Sequence, residues 1–139
     1  MNREIKFRGL KVNSKGWVYG SLVLKYNKSY IVSKALVKKT IGKKPIWIEI
    51  EVIPETVGQF TGLLDKNGTD IYEGDIVTYK RSVGNWTGQF ITTTHEIVFS
   101  EEVFAFVMKY GDSYIKLRKH WGYEYEVVVN IHENPELLK

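Results

Sequence analysis

The stretch that decides the fold runs from Val57 to Val77 and reads VGQFTGLLDKNGTDIYEGDIV. Four glycines punctuate it, with short apolar pieces between them. Asn67-Gly68 is a strong signal for a two-residue turn, because both residue types tolerate a positive φ. Glu73-Gly74-Asp75 predicts a second tight corner. The stretch therefore predicts very short strands that are joined by tight turns.

The same organisation extends along the chain in both directions. Ile46 to Ile53 alternates apolar and polar residues, so Ile46, Ile48, Ile50 and Val52 are predicted to form one buried face. Tyr123 to Ile131 alternates in the same way. No amphipathic helix of ten or more residues is evident, and the tail from His132 to Leu138 fits one short helical turn at most.

Turn signals separate the apolar segments by roughly 8–12 residues, a spacing that is typical of sandwiches and small barrels. Strands this short must close or curl to avoid exposed edges. We therefore expect an all-β fold: a small SH3-like barrel with additional strands and hairpins. Arg81 to Thr94 is the longest run predicted to be irregular, and part of it is compatible with one arm of a hairpin.

The length of 139 residues fits a single domain, which can be subdivided into a basic β region, 1–53, and a barrel core, 54–139. Cysteine is absent, which excludes disulfides, cysteine-based zinc sites and thiol nucleophiles. The N-terminus has no apolar signal-peptide region, and no window approaches about 18 apolar residues. We expect a cytoplasmic protein that does not bind membranes.

Charge is distributed unevenly. Residues 1–53 hold twelve basic and three acidic residues, a net charge of +9, whereas residues 54–139 hold eight and thirteen, a net charge of −5. Such asymmetry suggests a basic surface for nucleic acid or for an acidic partner, including the acidic part of a second subunit. A solvated positive face without any partner explains it equally well.

Four acids cluster in the central stretch, at Asp65, Asp70, Glu73 and Asp75. A calcium loop that began at Asp65 would need a glutamate at its twelfth position, where Ile76 stands, and its glycine falls two positions too early. The acids are therefore predicted to accept hydrogen bonds in turns.

The three histidines, His95, His120 and His132, are too widely spaced for a zinc motif. Nothing in the sequence proposes a nucleophile, a catalytic pair or a phosphate-binding loop. We predict no catalytic, cofactor-binding or metal-binding residue, and we expect a protein that is not an enzyme.

The candidate binding residues lie in two loops, one with concentrated positive charge and one that combines positive charge with an aromatic side chain. They are Lys38, Lys39, Lys43 and Lys44 in the first loop, and Lys80, Arg81 and Trp86 in the second. Small β-barrels bind single strands through such loops, which supply backbone electrostatics and base stacking. Solvated lysines and a tryptophan that folds back onto the barrel are the alternative.

Several ordered motifs resemble those of one protein family. They are the opening Arg3–Arg8, the hairpin motif Gly16–Gly20, the central runs Pro54–Leu63, Asp65–Gly68 and Ile71–Val77, and the closing run Asn130–Leu138. On these motifs the chain resembles the YopX family of bacteriophage and prophage proteins. Lys34–Lys44 and Arg81–Thr94 match less clearly, and His132 stands where the family often has tyrosine. The resemblance implies a β-rich fold with an SH3-like barrel and a phage origin, and it brings no established activity.

Two functions follow from these observations. The first is a non-enzymatic phage accessory module that forms homo-oligomers or binds a host or phage macromolecule, since tyrosine and tryptophan are abundant and anchor interfaces. The alternative is a nucleic-acid-binding module that uses the two loops. An enzyme is the weakest interpretation, because its carboxylates and histidines would have to converge in one pocket.

Overall fold

The structure, a computed structural model, describes residues 3–13, 16–35, 46–84, 88–119 and 124–133. These residues form eleven strands and one 3-10 turn, Pro54–Thr56. In chain order the strands are β1 (Phe7–Leu10), β2 (Trp17–Lys25), β3 (Lys28–Ala35), β4 (Ile46–Val52), β5 (Gly58–Leu64), β6 (Asp70–Tyr72), β7 (Asp75–Val83), β8 (Gln89–Ser100), β9 (Ala105–Tyr110), β10 (Ser113–Lys116) and β11 (Glu124–Asn130). The predicted all-β class is confirmed.

The chain divides into two compact units, Met1–Phe60 and Thr61–Lys139, with the boundary inside β5. In the first unit the strand order is β4-β3-β2-β1-β5. Every pairing among these strands is antiparallel. The predicted single domain with a subdivision at 53/54 stays a prediction.

The core of the first unit is built from Val18, Ile31 and Val52, which are buried on β2, β3 and β4. The backbones of β2 and β3 approach closely at Gly20. A methyl group there would lie 2.0 Å from the carbonyl oxygen of Val32, so only glycine fits this position.

The second unit contains a sheet of order β10-β9-β8-β7-β11, and β6 lies beside the second half of β5. Its buried core consists of Ile71, Val77, Tyr79, Ile97, Met108 and Tyr125. On β11 the register shifts between Val127 and Val129, so Val128 bulges out and is exposed. The uniform alternation predicted for Tyr123 to Ile131 is therefore wrong beyond the bulge, where Asn130 is the buried residue.

Both turns of the central stretch form where they were predicted, although the first spans the five residues between β5 and β6 and is not a two-residue turn. One carboxylate oxygen of Asp65 accepts the backbone N–H groups of Asn67 and Thr69 at 2.8 and 2.9 Å, while Gly68 adopts a φ of +80°. At the second corner, Asp75 accepts the N–H of Tyr72 at 2.8 Å. Two of the four acids of this stretch, Asp65 and Asp75, thus hold turns as predicted.

The predicted closed barrel is not found, because the described strands form two antiparallel sheets with free edges. Closure in the first unit is limited to one end, where a single bridge joins Lys11 to Val52 and the N–H of Val12 donates to the carbonyl of Glu51 at 3.2 Å. β1 spans only four residues and β4 spans seven, so β1 cannot cover the whole edge of β4.

Candidate functional site

The sequence-predicted binding residues divide into two groups. Lys38, Lys39, Lys43, Lys44 and Trp86 lie outside the described residues. Lys80 and Arg81 are neighbours on β7, and both are exposed. The structure therefore places two of the seven predicted residues, and it places them together.

Lys80 and Arg81 belong to the outer half of the β7–β8 hairpin, which we call the ribbon and define as Lys80–Val83 and Gln89–Thr92. Lys80 pairs with Thr92 and Arg81 with Ile91. All eight residues of the ribbon are exposed. The run Arg81 to Thr94, predicted to be mostly irregular, is thus largely paired strand. Its polar, glycine-containing sequence conceals the pairing because neither face of the ribbon is buried.

One aromatic side chain of the ribbon was missed by sequence reasoning. Phe90 is 55% exposed, and the Lys80 ammonium lies 4.6 Å from the centre of its ring. Ser82 pairs with Phe90, so Phe90 shares a face with Lys80. The spacing from Thr92 could have identified Phe90. Thr92 pairs with Lys80, and residues two apart on a strand lie on the same face.

A second exposed feature is the outer side of Ile46–Ile50, which we call the β4 edge. Ile46, Trp47 and Ile48 are 44%, 66% and 39% exposed. The prediction that Ile46 and Ile48 are buried is therefore wrong; on the same face only Val52 is fully buried and Ile50 is partly buried. Among the described residues, no strand pairs with this edge, since the bridge from β1 reaches β4 only at Val52.

The face of β4 that includes Trp47 is electrically balanced. Glu49 accepts a hydrogen bond from the Lys25 ammonium, and the Lys28 ammonium lies 2.9 Å from Glu51. These hydrogen bonds raise the pKa of Lys25 and of Lys28 above its ordinary value. The acids of β4 are thus engaged within the unit, which leaves its exposed Ile and Trp side chains as the dominant feature of the edge.

The buried histidine of the second unit has a structural role. His95 is buried; one ring nitrogen lies 2.9 Å from the carbonyl oxygen of Lys109 and the other 2.7 Å from the hydroxyl of Thr93. In the described ranges, no three His, Asp or Glu side chains are grouped so that they could hold a metal ion.

A groove of about 520 Å³ lies in the second unit, between the end of β5 and the segment that precedes β11. Its lining includes Leu63, Lys66, Arg118, Lys119 and Glu124, so charges of both signs surround it. Asp65 also lines this groove, but its oxygens already accept backbone hydrogen bonds. The absence of enzymatic activity stays a prediction.

No helix in the described part of the chain is long and apolar enough to cross a membrane.

Comparison with known proteins identifies a family and a similar solved structure. The family model described as YopX protein matches residues 6–139. The crystal structure of protein EF1440 from Enterococcus faecalis is similar, with a TM-score of 0.57 and 24% sequence identity, over 99% of this chain and 100% of that one. At this identity the likeness concerns the fold alone. No protein with a curated description matches the chain.

Proposed function

The chain belongs to the YopX family, and we propose that it is a non-enzymatic assembly module whose β4 edge pairs with the β4 edge of a second copy. The observation that supports this most directly is the exposure of Ile46, Trp47 and Ile48 on an edge strand.

An edge strand presents a row of backbone N–H and C=O groups that can pair with another chain. Natural proteins protect such edges with lysine, proline, bulges or very short strands. Within Ile46–Ile50 the β4 edge has no lysine or proline, its one charged residue, Glu49, is engaged by Lys25, and three large apolar side chains stand on it. Strand addition would satisfy the backbone groups and bury the apolar side chains together.

The occupant is a second copy because the β4 edge is complementary to itself. A two-fold axis at Ile48 places Ile46 of one copy opposite Ile50 of the other, and Trp47 opposite Glu49. Since side chains alternate between faces with a period of two, all the isoleucines of both copies meet on one face. Directly opposed pairs of this kind contribute about 0.2–1 kcal/mol each to sheet stability. The interface is isologous and closed, so it ends at a dimer.

Charge distribution sets the expected salt dependence of this contact. The first unit has twelve basic and four acidic residues, a net charge of +8, and the second unit has eight and twelve, a net charge of −4. Because the β4 edge lies in the first unit, the two-fold dimer brings two basic units together, and added salt should strengthen it by screening their repulsion. The phage origin implied by the sequence resemblance, and a cytoplasmic location, remain predictions.

The test is the oligomeric state, measured by light scattering coupled to size-exclusion chromatography at micromolar concentrations. We expect the wild type to be a dimer and Ile48→Lys to be a monomer, because the substitution places two ammonium groups against each other at the two-fold axis. The matched control is Val128→Lys, which puts the same charge at an exposed apolar position in the second unit. A wild type that is strictly monomeric, or an Ile48→Lys variant that still dimerises, would refute the proposal.

A further inference from the structure

The ribbon extends from the sheet of the second unit as two strands only. β7 pairs with β11 as far as Lys80 and Glu124, and β8 pairs with β9 only from Ile97 onward. Beyond these points, within the described residues, no third strand adjoins the ribbon. A two-stranded hairpin is marginally stable in water unless another surface covers it. The side chains of the ribbon are therefore placed to meet a partner rather than a core of this unit.

The ribbon has the opposite charge to the unit that contains it. From Lys80 to His95 the chain has two basic residues and no acidic residue, whereas the unit as a whole has a net charge of −4. A local positive site on an acidic unit directs a polyanion to that site, because the remaining surface repels it. Within the second unit, the charge pattern thus favours an anionic partner and places it at the ribbon.

Each face of the ribbon combines one cation with at least one exposed apolar side chain, since Val83 also lies on the face of Arg81. Lys80 and Phe90 share one face, and Arg81 and Ile91 share the other. The Lys80 ammonium already lies over the Phe90 ring, so a phosphate held by Lys80 brings its base within reach of that ring. The flat faces of bases are available for such stacking in a single strand, whereas a duplex hides them between neighbouring base pairs.

From this arrangement we propose that the ribbon is a binding site for single-stranded nucleic acid. Lys80 and Arg81 contact phosphates, and Phe90 stacks on a base. This site is separate from the β4 edge and does not depend on self-association. It is sequence-tolerant, because every base has a face that an aromatic ring can stack on.

Fluorescence anisotropy with a labelled oligothymidine of about 20 nucleotides tests the site, at salt concentrations from about 50 to 200 mM. We expect the wild type to bind with an affinity that falls as salt rises. Lys80→Ala combined with Arg81→Ala reduces the slope of log affinity against log salt by about 1.4, since each cation contributes about 0.7 for single strands. Phe90→Ala weakens binding about 5- to 150-fold and leaves the slope unchanged.

Two controls match these variants in chemistry but lie elsewhere in the same unit. Lys109→Ala combined with Lys116→Ala removes two exposed cations, and Phe104→Ala removes an exposed aromatic ring. Both controls should retain the wild-type affinity and slope. Equal losses in the controls and the ribbon variants would overturn the proposal. So would tighter binding of a duplex of the same length, or equally effective displacement of the oligonucleotide by polyglutamate.

Discussion

The carboxylate of Asp65 accepts the backbone N–H of Val127 at 3.0 Å, although the two residues are 62 positions apart in the chain. The other carboxylate oxygen closes the turn at Asn67 and Thr69. Val127 begins the bulge of β11, so one side chain fixes both a turn and a bulge. Burial raises the pKa of Asp65, but the N–H groups of Thr69, Val127 and Asn67 outweigh it and hold this pKa below its ordinary value.

Replacing Asp65 by asparagine should lower the free energy of unfolding by about 2–3 kcal/mol, because hydrogen bonds to a charged acceptor contribute more than neutral ones. The amide group of asparagine offers one oxygen, and its NH₂ would face a donor at Val127 or in the turn. Urea denaturation measures the change. Asp112→Asn, at an exposed turn position, is the control and should stay within about 0.5 kcal/mol of wild type.

The contribution of Asp65 should also depend on pH. Since its pKa in the folded protein lies below the ordinary value of 3.8, the ionised form stabilises the fold, and this stability is fully present above pH 3.8. It is lost as the pH falls from 3.8 through the lower folded-state pKa. The difference in unfolding free energy between wild type and Asp65→Asn should therefore shrink across that acidic interval. A difference that stays constant there would mean that the charge of Asp65 is unimportant.

Phe104 is held in a left-handed backbone conformation, with a φ of +50°, while its side chain is 81% exposed. Glycine adopts this conformation without the cost of about 1–2 kcal/mol that other residues incur. Phe104→Gly should therefore stabilise the second unit by about 0.5–1 kcal/mol, after allowance for the greater freedom of glycine in the unfolded chain. Thermal unfolding followed by circular dichroism would detect the rise.

The neighbouring turn supplies the reciprocal test. Gly111 has a φ of +55°, and no atom lies within 4 Å of where a Cβ would stand. Gly111→Ala should then destabilise the unit by about 1 kcal/mol through backbone strain alone. If both substitutions changed stability in the same direction, the left-handed conformation would not be the cause.

Among substitutions that add a single methyl group, Gly20→Ala should lower the stability of the first unit most. The added Cβ would lie 2.0 Å from the carbonyl oxygen of Val32, a backbone atom that cannot move without separating β2 from β3. We expect a loss of about 3 kcal/mol or more in chemical denaturation. Ser21→Ala, one residue further along and exposed, should be close to neutral. Comparable stability of the two variants would contradict the close approach.

Local chemistry was the predictable part of this fold. Asn67-Gly68 and Asp65 define their turn within five residues, so the sequence alone identifies it. The burial of Ile46 and Ile48 was predicted wrongly because alternation shows that a face is apolar, whereas exposure depends on what covers it. The bulge at Val128 is set by a residue more than sixty positions away, which no local pattern contains.

The ribbon also separates what the sequence predicts from what only strand pairing reveals. Lys80 and Arg81 were predicted as binding residues from their charge, and the structure adds Phe90 because strand pairing brings it to Lys80. Pairing of Arg81 with Ile91 joins residues on opposite sides of a loop, and polarity patterns do not specify such a register when neither face is buried.

The single bridge between Lys11 and Val52 has a consequence for the order of folding. β1 is made first and β4 last among the four strands it connects, so this contact must wait for β2, β3 and β4. Contacts of high sequence separation form slowly, and strand edges left open in the meantime are exposed to other chains. Once this bridge has formed, the Val52 end of β4 is no longer exposed to incorrect pairing with other chains.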